Sequence, residues 1–261
     1  MSDPTLQIER DGHVARVWLN RPDVRNAFNQ SVIGELRDTF ERFATDTSLR
    51  AIVLGGRGKA FCAGADLSWM KEMAGYTWEQ NRADAGQLAD MLWAIYRCPV
   101  PIVGRVHGDC YAGGVGLAAV CDVLVAADAA NFCLSEAKLG LLPATISPYV
   151  IRAMGEQAAR RYFVTAERFS AAQAAALGFV HEVCASDALD AKVDEIVAAL
   201  VANGPMALRA CKALVQDVAG QPITAALRDE TARRIADVRA SDEGREGVQS
   251  FLGKRKPAWL G

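Results

Sequence analysis

The feature that most restricts how this chain can fold is the glycine cluster Gly113-Gly114-Val115-Gly116, set behind the apolar run Pro101 to Val106. The run reads as a buried strand, and Gly113 to Val120 reads as a helix of small residues. A helix start presents N–H groups with no intrahelical partner. Without a Cβ at Gly113, a carbonyl oxygen can approach such an N–H closely, and the helix dipole favours negative charge on it. That is the geometry of an oxyanion hole.

One carboxylate stands out downstream. Glu136 follows a second apolar run, in Phe132-Cys133-Leu134-Ser135-Glu136-Ala137, with no Lys or Arg shortly before it. Desolvation there raises a carboxyl pKa toward the range useful for proton transfer. Lys138 is two residues on, on the same side if the segment is a strand, so an ion pair or a helix cap stands as the alternative to catalysis.

The 261 residues are 51% hydrophobic and 23% charged, with a net charge of −2. That is enough for one sizeable core and excludes disorder. Near-neutral charge argues against nucleic-acid or membrane-surface partners. No secretory signal is expected, since Met1 to Arg10 holds Asp3, Glu9 and Arg10 and no apolar run, and the apolar run near Cys110 is broken at Asp122, short of the roughly 20 residues a membrane span needs. A cytoplasmic protein is expected. Seven cysteines without a C-x-x-C pair suit reduced thiols, and three scattered histidines show no metal site.

In chain order, Leu6 to Arg10 and Val14 to Leu19 form a predicted hairpin about Asp11-Gly12. A polar loop, Asn20 to Phe28, precedes an amphipathic helix over 31–44, and 51–54 is a buried strand. Helices are predicted over 69–76 and 78–96; their apolar stripe is core, with Trp69 excepted as a site residue because it follows Asp66. Further helices span 147–154 and 156–165, broken at Gly155. Ser170 caps 171–177, a strand covers 179–183, and 188–201 is helical. The division is a core over 1–203 and a helical region over 204–261.

Two decoys fail. Gly55-Gly56-Arg57-Gly58-Lys59 lacks P-loop spacing and carries Ala60 where Ser or Thr would hold magnesium. Gly114 to Ala119 matches G-x-G-x-x-A, but Val106 ends its strand too early for a dinucleotide site.

Three motifs in order carry a resemblance: Lys59 to Leu67 (KAFCAGADL), Gly108 to Asp122, and Ser135-Glu136 through Leu139-Gly140-Leu141-Leu142-Pro143. They resemble the crotonase superfamily, the enoyl-CoA hydratase/isomerase family, over nearly the whole chain. The stretch from Leu134 to Phe163 is most similar to bacterial methylglutaconyl-CoA hydratase-like enzymes. The resemblance implies an α/β fold, the ClpP/crotonase-like spiral of ββα units, with a C-terminal helical region that packs against neighbouring subunits in a homotrimer or dimer of trimers. It implies an acyl-CoA thioester substrate and no separate cofactor, coenzyme A entering as part of the substrate.

By the same resemblance, the N–H groups of Ala63 and Gly113 hold the thioester oxygen and Glu136 is catalytic. Arg25, Ala27, Ala65, Asp66, Leu67, Trp69, Gly116 and Pro143 bind substrate, with Phe251 and Lys254 reaching it from the same or an adjacent subunit. The chain departs from the family at Gly116, where a first glutamate is usual. One acid then remains, and the vacated volume is expected to admit a branched substrate such as 3-methylglutaconyl-CoA. Ser147, Tyr149 and Arg152 are candidates to bind its second carboxylate. A one-base enoyl-CoA isomerase and a catalytically idle binding subunit are the competing readings.

Overall fold

The computed structural model describes residues 4–261. A hairpin of β1 (Leu6–Asp11) and β2 (Val14–Leu19) leads into α1 (Gln30–Thr45). The chain then makes three similar turns. The first comprises β3 (Ala51–Gly56), β4 (Ala60–Cys62), α2 (Leu67–Met73) and α3 (Trp78–Arg97). The second comprises β5 (Ile102–Val106), β6 (Asp109–Tyr111) and α4 (Gly113–Ala119). The third comprises β7 (Val123–Ala127), β8 (Asn131–Cys133), α5 (Ser147–Met154) and α6 (Glu156–Thr165). After them come β9 (Arg168–Ser170), α7 (Ala171–Ala176), β10 (Glu182–Cys184), α8 (Leu189–Ala202), α9 (Pro205–Val218), α10 (Ala225–Ala240) and α11 (Asp242–Leu252).

Each turn lays its first strand in a large sheet, ordered β1-β2-β3-β5-β7-β10, and its second in a small one, ordered β4-β6-β8-β9. This is the expected ββα spiral. All pairings from β2 to β10 in the large sheet are parallel, and the central strands β3, β5 and β7 are almost continuously buried because both their faces are covered. The main core lies between the two sheets, with Phe61, Phe132 and Phe169 of the small sheet facing Leu54, Ile102 and Leu124 of the large one in one buried cluster. A second cluster forms where Leu189, Val193 and Val197 of α8 cover Val53, Val103 and Val125.

Local signals account for most helix ends. Asn29 accepts from Val32 N to cap α1, Thr77 and Ser170 form capping boxes with Gln80 and Gln173, and Pro205 starts α9. The final strand differs from expectation. It starts at Glu182 because the N–H groups of Phe179 and Val180 both bond Ala174 O, which makes these residues the close of α7. Of the C-terminal helices, α9 is bound to the core: Lys212 Nζ lies 2.6 Å from Asp122 Oδ2 and Arg209 donates to Asp46 O at 2.6 Å. By contrast, α10 buries no residue. No single described helix is long and apolar enough to cross a membrane.

Candidate active site

Strands β4, β6 and β8 are parallel neighbours in the small sheet, with Cys62 beside Cys110, Cys110 beside Phe132 and Tyr111 beside Cys133. Their carboxyl ends therefore share one edge, the usual position of ligand sites on parallel sheets. The three segments leaving that edge are Ala63–Asp66, Ala112–Gly113 and Leu134–Glu136, each overlapping one of the three motifs found in the sequence.

The structure corrects the first oxyanion donor. Ala63 N–H donates to Arg25 O at 3.0 Å and is occupied. Phe28 pairs with Ala65 as a one-residue parallel bridge: Phe28 N–H donates to Gly64 O at 2.6 Å and Asp66 N–H to Phe28 O at 2.8 Å. In extended chain successive N–H groups point to opposite sides, so Ala65 N–H is turned away from Phe28. Among the described residues it has no acceptor, and neither has Gly113 N–H. Ala65 and Gly113 are thus available as a pair of donors, one from each loop.

Glycine brings these donors together. A Cβ on Gly64, whose φ is +89°, would lie 3.0 Å from Ala112 Cβ, and one on Gly114 would lie 2.5 Å from Cys62 O. Ala112 itself is held at φ 47°, ψ −120°, a conformation costly for a residue with a Cβ, with its N–H on Cys133 O at 2.8 Å. This strain sits immediately before Gly113 and sets the direction of its N–H.

Glu136 opens a short 3-10 turn, Glu136–Leu139, after β8. Its Oε2 is buried with no hydrogen-bond partner, and burial pushes its pKa up, partly offset by its own backbone N–H. Lys138 does not neutralise it. The segment is a turn and not a strand, Lys138 is exposed, and no ion pair joins the two. A desolvated carboxyl with a raised pKa, at the strand edge that also carries two free N–H donors, can exchange protons with a bound molecule whose oxygen those donors stabilise.

Other expected residues sort differently. Gly116 does not vacate volume: a Cβ there would lie 2.1 Å from Ile146 Cγ2, so Ile146 already fills the space. Asp66 is committed to structure, its Oδ1 capping Ser68 N at 2.8 Å and its Oδ2 pairing with Arg21 at 2.7 Å. Ala27 is buried and its carbonyl accepts from Arg21 at 2.6 Å, while Leu67 is exposed at the start of α2. Trp69 is buried and donates to Asp84 at 3.1 Å, at the edge of a cavity of about 310 Å³ shared with Arg21, Gln30 and Asp66. Arg25 is exposed with φ 54°, its guanidinium 3.9 Å from Asp109, and Pro143 is buried.

The candidates for a second carboxylate lie elsewhere. Tyr149 and Arg152 line a cavity of about 280 Å³ with Tyr96, Asp122 and His181, a group that includes neither Gly113 nor Glu136. Arg152 donates to Tyr96 OH at 3.0 Å, and Ser147 Oγ to Ala144 O at 2.8 Å. Phe251 and Lys254 are exposed at the end of α11, whose main packing partners are α9 and α10.

Sequence reasoning missed Asn26 and Ile146. Asn26, 1% exposed and at φ 56°, accepts from Arg21 N at 2.9 Å and donates to Arg57 O and Ala60 O, each at 2.8 Å. It fastens the Asn20–Phe28 loop to the segment delivering Ala65. Its signal was an Asn, tolerant of left-handed backbone, within a proline-containing loop. Ile146 had no signal, because only folding sets it on Gly116.

Comparison with known proteins identifies the family and the fold. The family model described as enoyl-CoA hydratase/isomerase matches residues 9–261. An enoyl-CoA hydratase structure from Shewanella pealeana ATCC 700345 superposes with a TM-score of 0.94 at 41% identity, covering 98% of this chain and 96% of that one. The 2,3-dehydroadipyl-CoA hydratase of Escherichia coli (strain K12) is 32% identical over 259 residues, 98% of each chain. The mevalonyl-coenzyme A hydratase sidH of Aspergillus fumigatus is 32% identical over 254 residues, 95% of this chain and 91% of the relative. With that family model spanning nearly the whole chain and solved relatives sharing its spiral, the chain belongs to the enoyl-CoA hydratase/isomerase family.

Proposed function

We propose that the protein is an enoyl-CoA hydratase in which Glu136 alone carries the proton, acting on a branched, carboxylated enoyl-CoA such as 3-methylglutaconyl-CoA. The observation that carries this is the buried, unpartnered Glu136 Oε2 at the strand edge where Ala65 and Gly113 N–H are free. The thioester oxygen sits between the two donors, which stabilise it most as it becomes an enolate; each is typically worth about 3 kcal/mol in the transition state. Glu136 takes a proton from water as the water oxygen bonds to C3, and returns that proton to C2. Water is added across the double bond, Glu136 ends ionised as it began, and the reverse steps dehydrate.

The substrate class draws support from relatives named for mevalonyl-CoA, a branched acyl group, and 2,3-dehydroadipyl-CoA, a dicarboxylic one. Arg25, exposed on the loop before α1, is the cation this reading assigns to the coenzyme phosphates. Residues 204–261 are the assembly region in this reading, since Ile223 is 97% exposed and Phe251 82%. Assembly as a trimer or dimer of trimers would bring Phe251 and Lys254 to a neighbour's site, which light scattering and Lys254→Ala KM values test together.

The test of function is product mass. Gain of one water by 3-methylglutaconyl-CoA, weaker with crotonyl-CoA and lost in Glu136→Gln, supports the proposal. The absence of a second acid at Gly116 also favours a one-base isomerase, which would shift the double bond of a 3-enoyl-CoA at unchanged mass. No turnover of any of the three refutes both.

A further inference from the structure

Gly116 lies one turn beyond Gly113 on α4, and a Cβ built there would stand 2.1 Å from Ile146 Cγ2 and 2.6 Å from Ile146 Cβ. Ile146 is 1% exposed. It has little room to withdraw, because its carbonyl accepts from Tyr149 N at 3.1 Å and Val150 N at 3.0 Å at the head of α5. The chain between Glu136 and Ile146 is tied near both ends, with Leu141 N–H on Glu136 O at 3.1 Å and Ser147 N–H on Ala144 O at 3.2 Å. Its middle, Leu139 to Leu142, is exposed. Glu136 and Ile146 thus lie ten positions apart on one segment.

We propose that Ile146, seated on the bare Cα of Gly116, is a specificity-determining residue: it takes the volume a second acid on α4 would need. This rests on the single-acid hydratase reading. Gly116 and Ile146 act as one size-coupled pair. A side chain at 116 and a β-branched one at 146 exclude each other, so acid count is a property of two positions. The side chain standing over Gly116 is hydrocarbon, and it offers water no hydrogen-bonding partner. Water destined for C3 is then oriented by Glu136 alone.

The test is a double-mutant cycle in the full-length protein. Gly116→Glu alone is expected to lower kcat on 3-methylglutaconyl-CoA by at least about tenfold and to lower Tm by several degrees. Gly116→Glu with Ile146→Gly is expected to recover most of that kcat loss, beyond the product of the single effects, and to gain a second ionisation in its kcat–pH profile. Ile146→Gly alone is read as the ratio of kcat/KM on 3-methylglutaconyl-CoA to that on crotonyl-CoA, which a purely structural role for Ile146 would leave unchanged. Gly116→Ala, alone and with Ile146→Gly, repeats the cycle by urea melting without reference to activity, should Gly116→Glu not fold. Additive single effects in the urea cycle, or a double variant with one ionisation, would overturn the proposal. Normal hydration by Glu136→Gln would instead sink the single-acid reading, while the urea cycle would still report on the pair.

Discussion

Replacing Asn26 by Ala removes the acceptor of Arg21 N–H and the donor to Arg57 O and Ala60 O, all around a side chain that is 1% exposed. Left unpaired at about 1 kcal/mol each, the three groups sum to roughly 3 kcal/mol. Asn26 also sits at φ 56°, where Ala is disfavoured by about 1 kcal/mol relative to Gly. Asn26→Ala should therefore cost about 4 kcal/mol and Asn26→Gly about 3 kcal/mol in urea melts, with Tm falling roughly 10 °C. Because Asn26 also fastens the loop that bears Phe28, and Phe28 turns Ala65 N–H toward the site, kcat should fall by about tenfold with KM little changed. Gly56→Ala should strike the same network from its other side, since its Cβ would lie 2.7 Å from Asn26 Nδ2. A loss below about 1 kcal/mol in Asn26→Ala, or a Gly variant less stable than the Ala variant, would refute this account.

Glu136→Gln should lower kcat by about 10²–10⁴ while protecting the fold at neutral pH. A carboxyl whose folded pKa is raised above its unfolded value loses stability as pH rises through that interval, so the Tm of the Gln variant relative to the parent should grow from pH 4 to pH 8; a constant difference would contradict the burial of this acid. Replacing the amide N–H of Ala65 by an ester oxygen should lower kcat by about 10²–10³, whereas the same change at Ala63 should lower stability with a smaller effect on kcat. The opposite ranking in a single-turnover assay would restore Ala63 as the donor. Lys212→Ala should cost about 2 kcal/mol in thermal melts by leaving Asp122 without its 2.6 Å partner and freeing α9 from the core, and Lys212→Arg should not restore it fully; an unchanged Tm would remove this ion pair as the tie.

Helices were the most legible part of the chain. Ser147–Met154 and Glu156–Thr165 lie where periodicity and Gly155 put them, and α1 exceeds its predicted span by a single residue at each end. The small sheet was not legible, because β4, β6, β8 and β9 have three residues each, too short to show alternation. Yet three of those strands carry the site. Their positions depend on pairing between segments far apart in sequence, and the motifs covered β4 and β6 without marking them as strands.

Local chemistry was enough to single out Gly113 as a place where backbone donors are bare and Glu136 as the acid without a cationic neighbour before it. Nothing local could decide which N–H on the Ala63–Asp66 loop stays free, since Ala63 loses its availability to a carbonyl on another loop and Ala65 keeps its own through the bridge to Phe28. The same holds for Gly116, where the missing side chain suggested open space and folding set Ile146 in it. Residue type and local backbone come from the sequence directly; hydrogen-bond partners and occupied volume are settled between distant segments, and only the tertiary structure decides them.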